Sequence, residues 1–472
     1  MNKLSQSIEK YILPVAMKVG NEKHLLAIRD AFITMMPITM AGAIAVLLNA
    51  FVRDFPNQYL GENNAITTFF QPLIAVNGLI WTGSLAIMAL VFSGSLGYQL
   101  AKAYNVNPIG GMFVSLSAFV MGVPQVANIS TVLNGTLTND ATKLITEAGG
   151  TVTTANDVST IATSGWGFFS FNQYFGGTGL FTAMIFSFIS VLIYAYLLKK
   201  NIIIKLPDSV PPAVSKAFAG IIPGTVALYV CGVIYYVFER VTAQSMIDWI
   251  TNAIQAPLIN LSQGYLAVIV VTLLVHVLWV FGLHGTNIMG AVLQSLYGTA
   301  MVANTNAFQN GDKIPYKWSA ASFDVFVWPG GAGVTLALII GLLWFSKRAD
   351  QRTVAKLGLA PGLFNINEPI MFGLPVVLNP IYMIPFVLAP LCTATLSYVA
   401  TMTGLVDPVV VTVPWVMPPI LSGFLATAGD WRAIVLSIIN ILLALAIWAP
   451  FVMTANKMNN VTTDDLVDSS IN

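Results

Sequence analysis

Asn365-Ile366-Asn367-Glu368-Pro369-Ile370-Met371-Phe372-Gly373-Leu374 is the stretch on which the reading of this chain turns. Glu368 heads a run with no further charge until Asp407, and Pro369, Gly373 and Pro375 break the backbone around it. A charge at the bilayer centre costs roughly 3 kcal/mol on insertion scales, so such an acid faces a cavity and carries a task. The breakers predict a short helix or hairpin that dips into the membrane and turns back. Protein or a water-filled cavity must surround backbone of that kind. The plainer reading of Glu368 is a helix N-terminal carboxylate favoured by the dipole. Asn367 suits an N-cap and a hydroxyl-binding amide equally.

The lipid setting follows from composition. The 472 residues are 56% hydrophobic and only 9% charged, with a mean hydropathy of +0.77. A soluble chain of this length needs far more surface charge, so this is an integral membrane protein. Its uncharged windows, among them 62–102, 248–312 and 368–407, exceed the roughly 20 residues that one crossing takes. A net charge of +1 gives no reason to expect a nucleic-acid partner. Cys231 and Cys392 lie in apolar windows and read as small buried hydrophobes. The sequence has no phosphate loop, metal-ligand cluster or nucleophile elbow, so neither cofactor nor metal is expected and a self-contained ATPase or hydrolase is disfavoured. An Arg-rich voltage sensor and a Thr-Val-Gly-Tyr-Gly filter are missing too, which disfavours ion channels of those types.

In chain order, residues 1–27 read as an amphipathic segment on the inner face, because Glu9, Lys10 and Lys18 interrupt any signal-peptide core. Spans are expected within 28–52, 65–104, 107–127, 174–198, 217–238, 264–283, 322–345, 381–402, a Pro-broken 409–424, and 433–453. The fold class is therefore all-α, an integral membrane protein of about ten transmembrane helices with interfacial amphipathic pieces. The interfacial pieces include 239–261, anchored by Trp249. The Thr/Asn/Ser/Gly-rich stretch 128–164 reads most simply as a loop. With both termini cytoplasmic, most of the 21 lysines and arginines fall inside, including Lys199, Lys200, Lys205, Lys216, Lys347, Arg348, Arg352 and Lys356. The last segment, 457–472, is a polar cytoplasmic tail.

Three histidines and two tryptophans carry the remaining chemistry. His24 has a charged, surface-like context, and His276 lies mid-helix, where a structural hydrogen bond to a neighbouring helix explains it as well as function does. His284, in Phe281-Gly-Leu-His-Gly285, sits at a Gly-flanked break where one helix ends and a short arm (285–296) begins. Ionisable residues at such breaks line pathways. Asp324 reads as a cap at the membrane interface. Trp279 and Trp415 fit either an aromatic belt or flat platforms for the apolar face of a sugar.

With those residues laid out, the sequence resembles the membrane-spanning enzyme IIC component of the bacterial sugar phosphotransferase system, in its lactose/cellobiose/diacetylchitobiose branch. The similarity runs over nearly the whole chain. Its most specific parts are Ile204-Lys-Leu-Pro-Asp-Ser-Val-Pro-Pro-Ala-Val-Ser215, Phe281-Gly-Leu-His-Gly285, the Asn365 stretch through Pro375, and Pro450-Phe-Val-Met-Thr-Ala-Asn-Lys457. The resemblance implies a homodimer in the bacterial plasma membrane. Residues 28–262 would form a scaffold and dimerisation half, and 263–456 a substrate half with two re-entrant hairpins holding one disaccharide.

It also implies roles. Glu368 and His284 would contact the sugar's 6-hydroxyl, Asn367 would bind beside them, and Trp279 and Trp415 would stack on the sugar. The 6-hydroxyl would take a phosphoryl group from a phosphocysteine on a separate soluble IIB protein, itself charged through IIA. No cysteine here lies in a soluble segment, so the donor must be another chain. Phosphoryl transfer passes through a loose transition state, which leaves the protein to position the hydroxyl and handle its proton. Two other classes compete. One is an ion-coupled symporter with Glu368 as proton carrier, and the other is a membrane sensor that transports nothing. Cellobiose is the first expectation for the sugar, before lactose and diacetylchitobiose.

Overall fold

A computed structural model describes residues 22–61, 64–155, 158–166, 174–207, 209–374 and 381–456, with Lys18, Val376 and Asn379. Most of the amphipathic stretch 1–27 and the whole tail 457–472 lie outside the described residues. The chain divides into two compact units, one made of residues 86–254 and the other of 1–85 together with 255–472.

In the 86–254 unit, helices Met88–Ala103, Pro108–Met121, Leu180–Lys199 and Ile221–Thr242 pack on one another through small residues. Ser115 Oγ donates to the Ser93 carbonyl at 2.6 Å and lies 2.7 Å from Ser187 Oγ. A Cβ on Gly111 would meet Ala101 Cβ at 2.4 Å. Lipid supplies little drive for helices to associate, so close backbone approach and buried hydroxyl bonds do that work. The outward faces carry Phe113, Tyr229, Val233 and Tyr236, apolar side chains suited to acyl chains.

Residues 126–166 are not the loop that their polarity suggests. They form a three-stranded antiparallel sheet, β1 (Val126–Asn134), β2 (Thr151–Ala155) and β3 (Val158–Trp166), in the order β1-β3-β2, with helix Asn139–Glu147 between β1 and β2. Thr, Val and Ile dominate β2 and β3, and β-branched side chains fit a pleated surface. The third expected span is also shorter than 107–127. Helix Pro108–Met121 has 14 residues, about 21 Å at 1.5 Å per residue and short of a roughly 30 Å hydrocarbon core. The chain is mostly helical, but the sheet makes it other than all-α.

In the other unit, Lys23–Thr34, Met36–Asn49 and Gln71–Thr82 accompany the C-terminal helices. Asn77 Nδ2 donates to Asn49 Oδ1 at 2.8 Å, a buried pair that ties two of these helices together. A 73° bend at Gln263-Gly264 separates the helix ending at Ser262 from Tyr265–Val280. Met383–Met402 and Trp431–Ala455 lie against each other, and Trp318, Trp448, Tyr297, Phe323 and Phe386 fill the core among them. The expected span 322–345 is broken. A π-type turn, Phe323–Val327, leads into a Gly-rich loop before helix Thr335–Phe345 begins.

Among the described residues six helices are long and apolar enough to cross a membrane, seven if the bent pair counts as one span. That makes this a multi-pass membrane protein.

Candidate functional site

His284 stands where it does because helix Tyr265–Val280 is stopped by glycine. Gly282 takes φ +77. Its N–H donates to the Trp279 carbonyl at 2.9 Å, and the Leu283 N–H donates to the Leu278 carbonyl at 3.1 Å. This is the paired reverse bonding of a left-handed C-terminal cap. His284 then caps the next turn, Gly285–Ile288. Its Nδ1 accepts from the Asn287 N–H at 3.3 Å and lies 3.0 Å from Thr286 Oγ1. A nitrogen that accepts from an amide carries no proton, so the neutral ring holds its proton on Nε2, where it can donate to a ligand oxygen. Gly285 is required for a different reason. A Cβ there would come within 1.9 Å of the Val275 carbonyl oxygen, because the turn folds back on the preceding helix.

Trp279 is 4% exposed and lies against His284, with ring centroids 4.4 Å apart and planes tilted by 46°. It belongs to the core of its unit and not to an aromatic belt. His276 is fully buried and bonds its own helix, with Nδ1 2.7 Å from the Thr272 carbonyl oxygen, between Trp328 and Phe386. That bond is to its own helix, not to a neighbouring one as the sequence suggests. His24 pairs with Glu22 on the half-exposed first turn of its helix.

The Asn365–Leu374 stretch does turn as its breakers predict. Helix Ala349–Leu363 ends, Asn365 takes φ +61, and a six-residue helix, Glu368–Gly373, begins. Asn365 is the buried knot of this turn. Its Oδ1 accepts from the Gly330 N–H at 2.8 Å, and its Nδ2 donates to the carbonyls of Trp415 (2.6 Å) and Met417 (2.9 Å). One amide thus joins three segments distant in sequence. Asn367 is buried too, but its side chain makes no cap bond. Its Nδ2 donates to the Ala332 carbonyl at 3.1 Å, and its backbone carbonyl takes the cap bonds from Ile370 and Met371. Gly331, at φ +97, fits beneath the pair, for a Cβ there would meet the Asn365 carbonyl oxygen and Asn367 Cβ at 2.9 Å. Glu368 itself is exposed, on the first position of its helix, and accepts no hydrogen bond from a described residue.

Glu368 and His284 are brought into one neighbourhood, and the charges of Glu368 and Arg29 both act on the His284 ring. Both side chains are accessible, though the segments around them are apolar. Trp415 is 49% exposed, and its backbone is tied to the same turn by Asn365. Asp324 departs from expectation. Its side chain makes no cap bond among the described residues. It is accessible on the π-type turn, and its Oδ1 accepts from the Trp328 indole N–H at 3.1 Å.

Residues 328–333 were missed as part of the site. The run Trp328-Pro-Gly-Gly-Ala-Gly333 packs under Asn365 and Asn367, and Trp448 Nε1 holds its end through the Gly333 carbonyl at 3.0 Å. Three glycines within five residues could have announced a break. Two surface grooves, of about 640 and 520 Å³, lie elsewhere, in the 86–254 unit along Tyr104, Lys199 and Lys216. Among the described residues no cluster of His, Cys, Asp or Glu could hold a metal ion.

Residues 29–390 match the family model "Phosphotransferase system, EIIC". The chain is 41% identical to the cellobiose-specific EIIC component of Lactococcus lactis subsp. lactis (strain IL1403), over 98% of this chain and all of that one. It is 34% identical to the oligo-beta-mannoside-specific EIIC component of Bacillus subtilis (strain 168), over 96% of this chain and 94% of that one. The crystal structure of the transporter ChbC, the IIC component from the N,N'-diacetylchitobiose-specific phosphotransferase system, superposes with a TM-score of 0.82. That match has 32% identity and covers 95% of this chain and 97% of that one.

Proposed function

Because the chain belongs to the EIIC family of the phosphotransferase system, we propose that it is a permease for a cellobiose-type disaccharide. In this reading it carries the sugar inward across the bacterial plasma membrane and presents the 6-hydroxyl to the phosphocysteine of a separate IIB protein, itself recharged through IIA. Support for the sugar class comes from relatives named for cellobiose, oligo-beta-mannosides and diacetylchitobiose.

The observation that carries the mechanism is that the Glu368 carboxylate lies near enough for its charge to act on the His284 ring, both groups being accessible on apolar segments. Glu368 accepts the proton of the attacking hydroxyl. His284 donates from Nε2 and orients the same oxygen. Asn367 binds a neighbouring hydroxyl through Oδ1. Trp415 offers an open aromatic face to the sugar, and Trp279, proposed from the sequence as a second platform, serves the site from behind by fixing the plane of the imidazole.

Residues 263–456 form the substrate half in this reading, and 28–262 the scaffold of a homodimer. The broken and shorter helices, Pro108–Met121 and Thr335–Phe345 among them, bring the crossings to about ten with two re-entrant hairpins. Both termini lie in the cytoplasm.

The test is an uptake assay in vesicles loaded with phosphoenolpyruvate and the soluble components, with and without IIB. The reading requires cellobiose to appear inside as its 6-phosphate, and only with IIB. Accumulation of unmodified sugar driven by a pH gradient would establish the symporter in its place, and no uptake at all would leave the sensor.

A further inference from the structure

The proposed reaction has a base for the hydroxyl and a donor to orient it, but it also needs a partner for the phosphoryl oxygens. In a loose transition state the charge spreads over three equatorial oxygens, and a fixed cation is the usual stabiliser. Helix Lys23–Thr34 brings one to the site. Its Arg29 side chain lies on Gly290, six residues beyond His284, so closely that a Cβ on Gly290 would meet Arg29 Cγ at 3.0 Å and Cδ at 3.3 Å.

Asp30 holds the guanidinium by one edge, with Nε and Nη2 donating to Oδ1 at 2.9 and 2.6 Å. Among the described residues Nη1 has no acceptor, and the side chain is a quarter exposed. The planar fork is thus oriented by a carboxylate on one side and open on the other, as a bidentate phosphoryl site requires. The same guanidinium acts on the His284 ring together with Glu368.

We propose that Arg29 binds the phosphoryl group in transit, an inference that rests on the permease reading above. The 6-hydroxyl oxygen attacks phosphorus and forms the new O–P bond while the S–P bond of the phosphocysteine breaks. The electron pair of that bond leaves on sulfur as a thiolate, and the hydroxyl proton passes to the Glu368 carboxylate. Arg29 contributes no atom to the product. It holds two non-bridging oxygens throughout, and so also holds the sugar 6-phosphate before release.

The experiment compares cellobiose and cellobiose 6-phosphate as ligands of the purified full-length protein, for wild type, Arg29→Lys and Arg29→Gln. The expected result for Arg29→Gln is a loss of at least tenfold in affinity for the 6-phosphate, with cellobiose affinity within twofold of wild type. Arg29→Lys keeps the charge but not the fork and falls between. An equal loss for both ligands would make Arg29 a structural residue and overturn the proposal, as would unchanged binding of both. Wild-type protein that binds neither ligand would bring down the permease reading itself, and this inference with it.

Discussion

The rings of Trp279 and His284 lie 4.4 Å apart, centroid to centroid, so a tryptophan only 4% exposed is the wall against which the imidazole rests. Trp279→Ala would empty that wall and, by the usual cost of large-to-small changes at aromatic core positions, lower stability by about 3–5 kcal/mol. Trp279→Phe is the informative variant, because it keeps most of the packing. We expect it to stay folded while cellobiose affinity falls about tenfold, as the imidazole loses its fixed plane. Calorimetric binding beside thermal unfolding in detergent reads the two effects separately, and full affinity in the Phe variant would show that His284 needs no such wall.

His284 has two nitrogens with separate duties, which substitution can divide. Asparagine is a good helix cap, so His284→Asn should preserve the cap on Gly285–Ile288 while deleting the Nε2 donor. Its melting temperature should stay within a few degrees of wild type while sugar phosphorylation drops at least a hundredfold. Glu368→Gln keeps the shape and removes the base, with a loss of similar size. If either protein phosphorylates cellobiose at a wild-type rate, its residue does not handle the hydroxyl.

Asn365 combines three side-chain hydrogen bonds with a positive φ, and variants at this position can part the two. Asn365→Gly tolerates the backbone but leaves a buried N–H and two carbonyls without their partner, at about 1 kcal/mol each. Asn365→Ala adds left-handed strain of about 1 kcal/mol. Asn365→Asp should be the worst of the three, since a carboxylate cannot donate to the carbonyls of Trp415 and Met417. Thermal unfolding should therefore rank wild type above Gly, Gly above Ala and Ala above Asp, and any other order would mean that the amide is not the knot.

How much of this was legible depended on whether a feature was local. The break at Asn365–Leu374 and the cap before His284 were marked by Pro369, Gly373, Gly282 and Gly285, breakers that a local window shows, and both breaks are found there. The loop Trp328–Gly333 was locally marked as well, but its glycines lay inside an apolar window that reads as one continuous span. What they pack against, Asn365 and Asn367, is a long-range fact that no window contains. Trp279 shows the same limit, since period and composition cannot tell a wall from a platform. The sheet at 126–166 was misread because polarity outweighed pattern. The β-branched residues of Thr151–Thr154 and of Val158–Ile161 favour a pleated strand, and that local preference was outweighed by the polarity of the stretch.

The last prediction concerns acid. Asp430 caps helix Trp431–Ala455, with only 3% of its side chain exposed. Its carboxylate accepts from the Arg432 N–H (2.9 Å), from Arg432 Nε (2.8 Å) and from the Asp407 N–H (2.9 Å). Burial works against the charge, but the Arg432 side chain and the two backbone donors outweigh it and hold the carboxyl below the ordinary carboxylate range. A group depressed in the folded state stabilises at pH values above its unfolded pKa of about 3.9, and that stability is lost as pH falls through the folded pKa. Asp430→Asn retains a capping side chain and removes only the charge. It should cost about 1–2 kcal/mol at pH 7, discounted for a partner that is partly solvated. The gap in melting temperature between the two proteins should then close as pH drops below about 4. A gap that stays constant from pH 7 to pH 3 would mean that the bonds to Asp430 owe nothing to its charge.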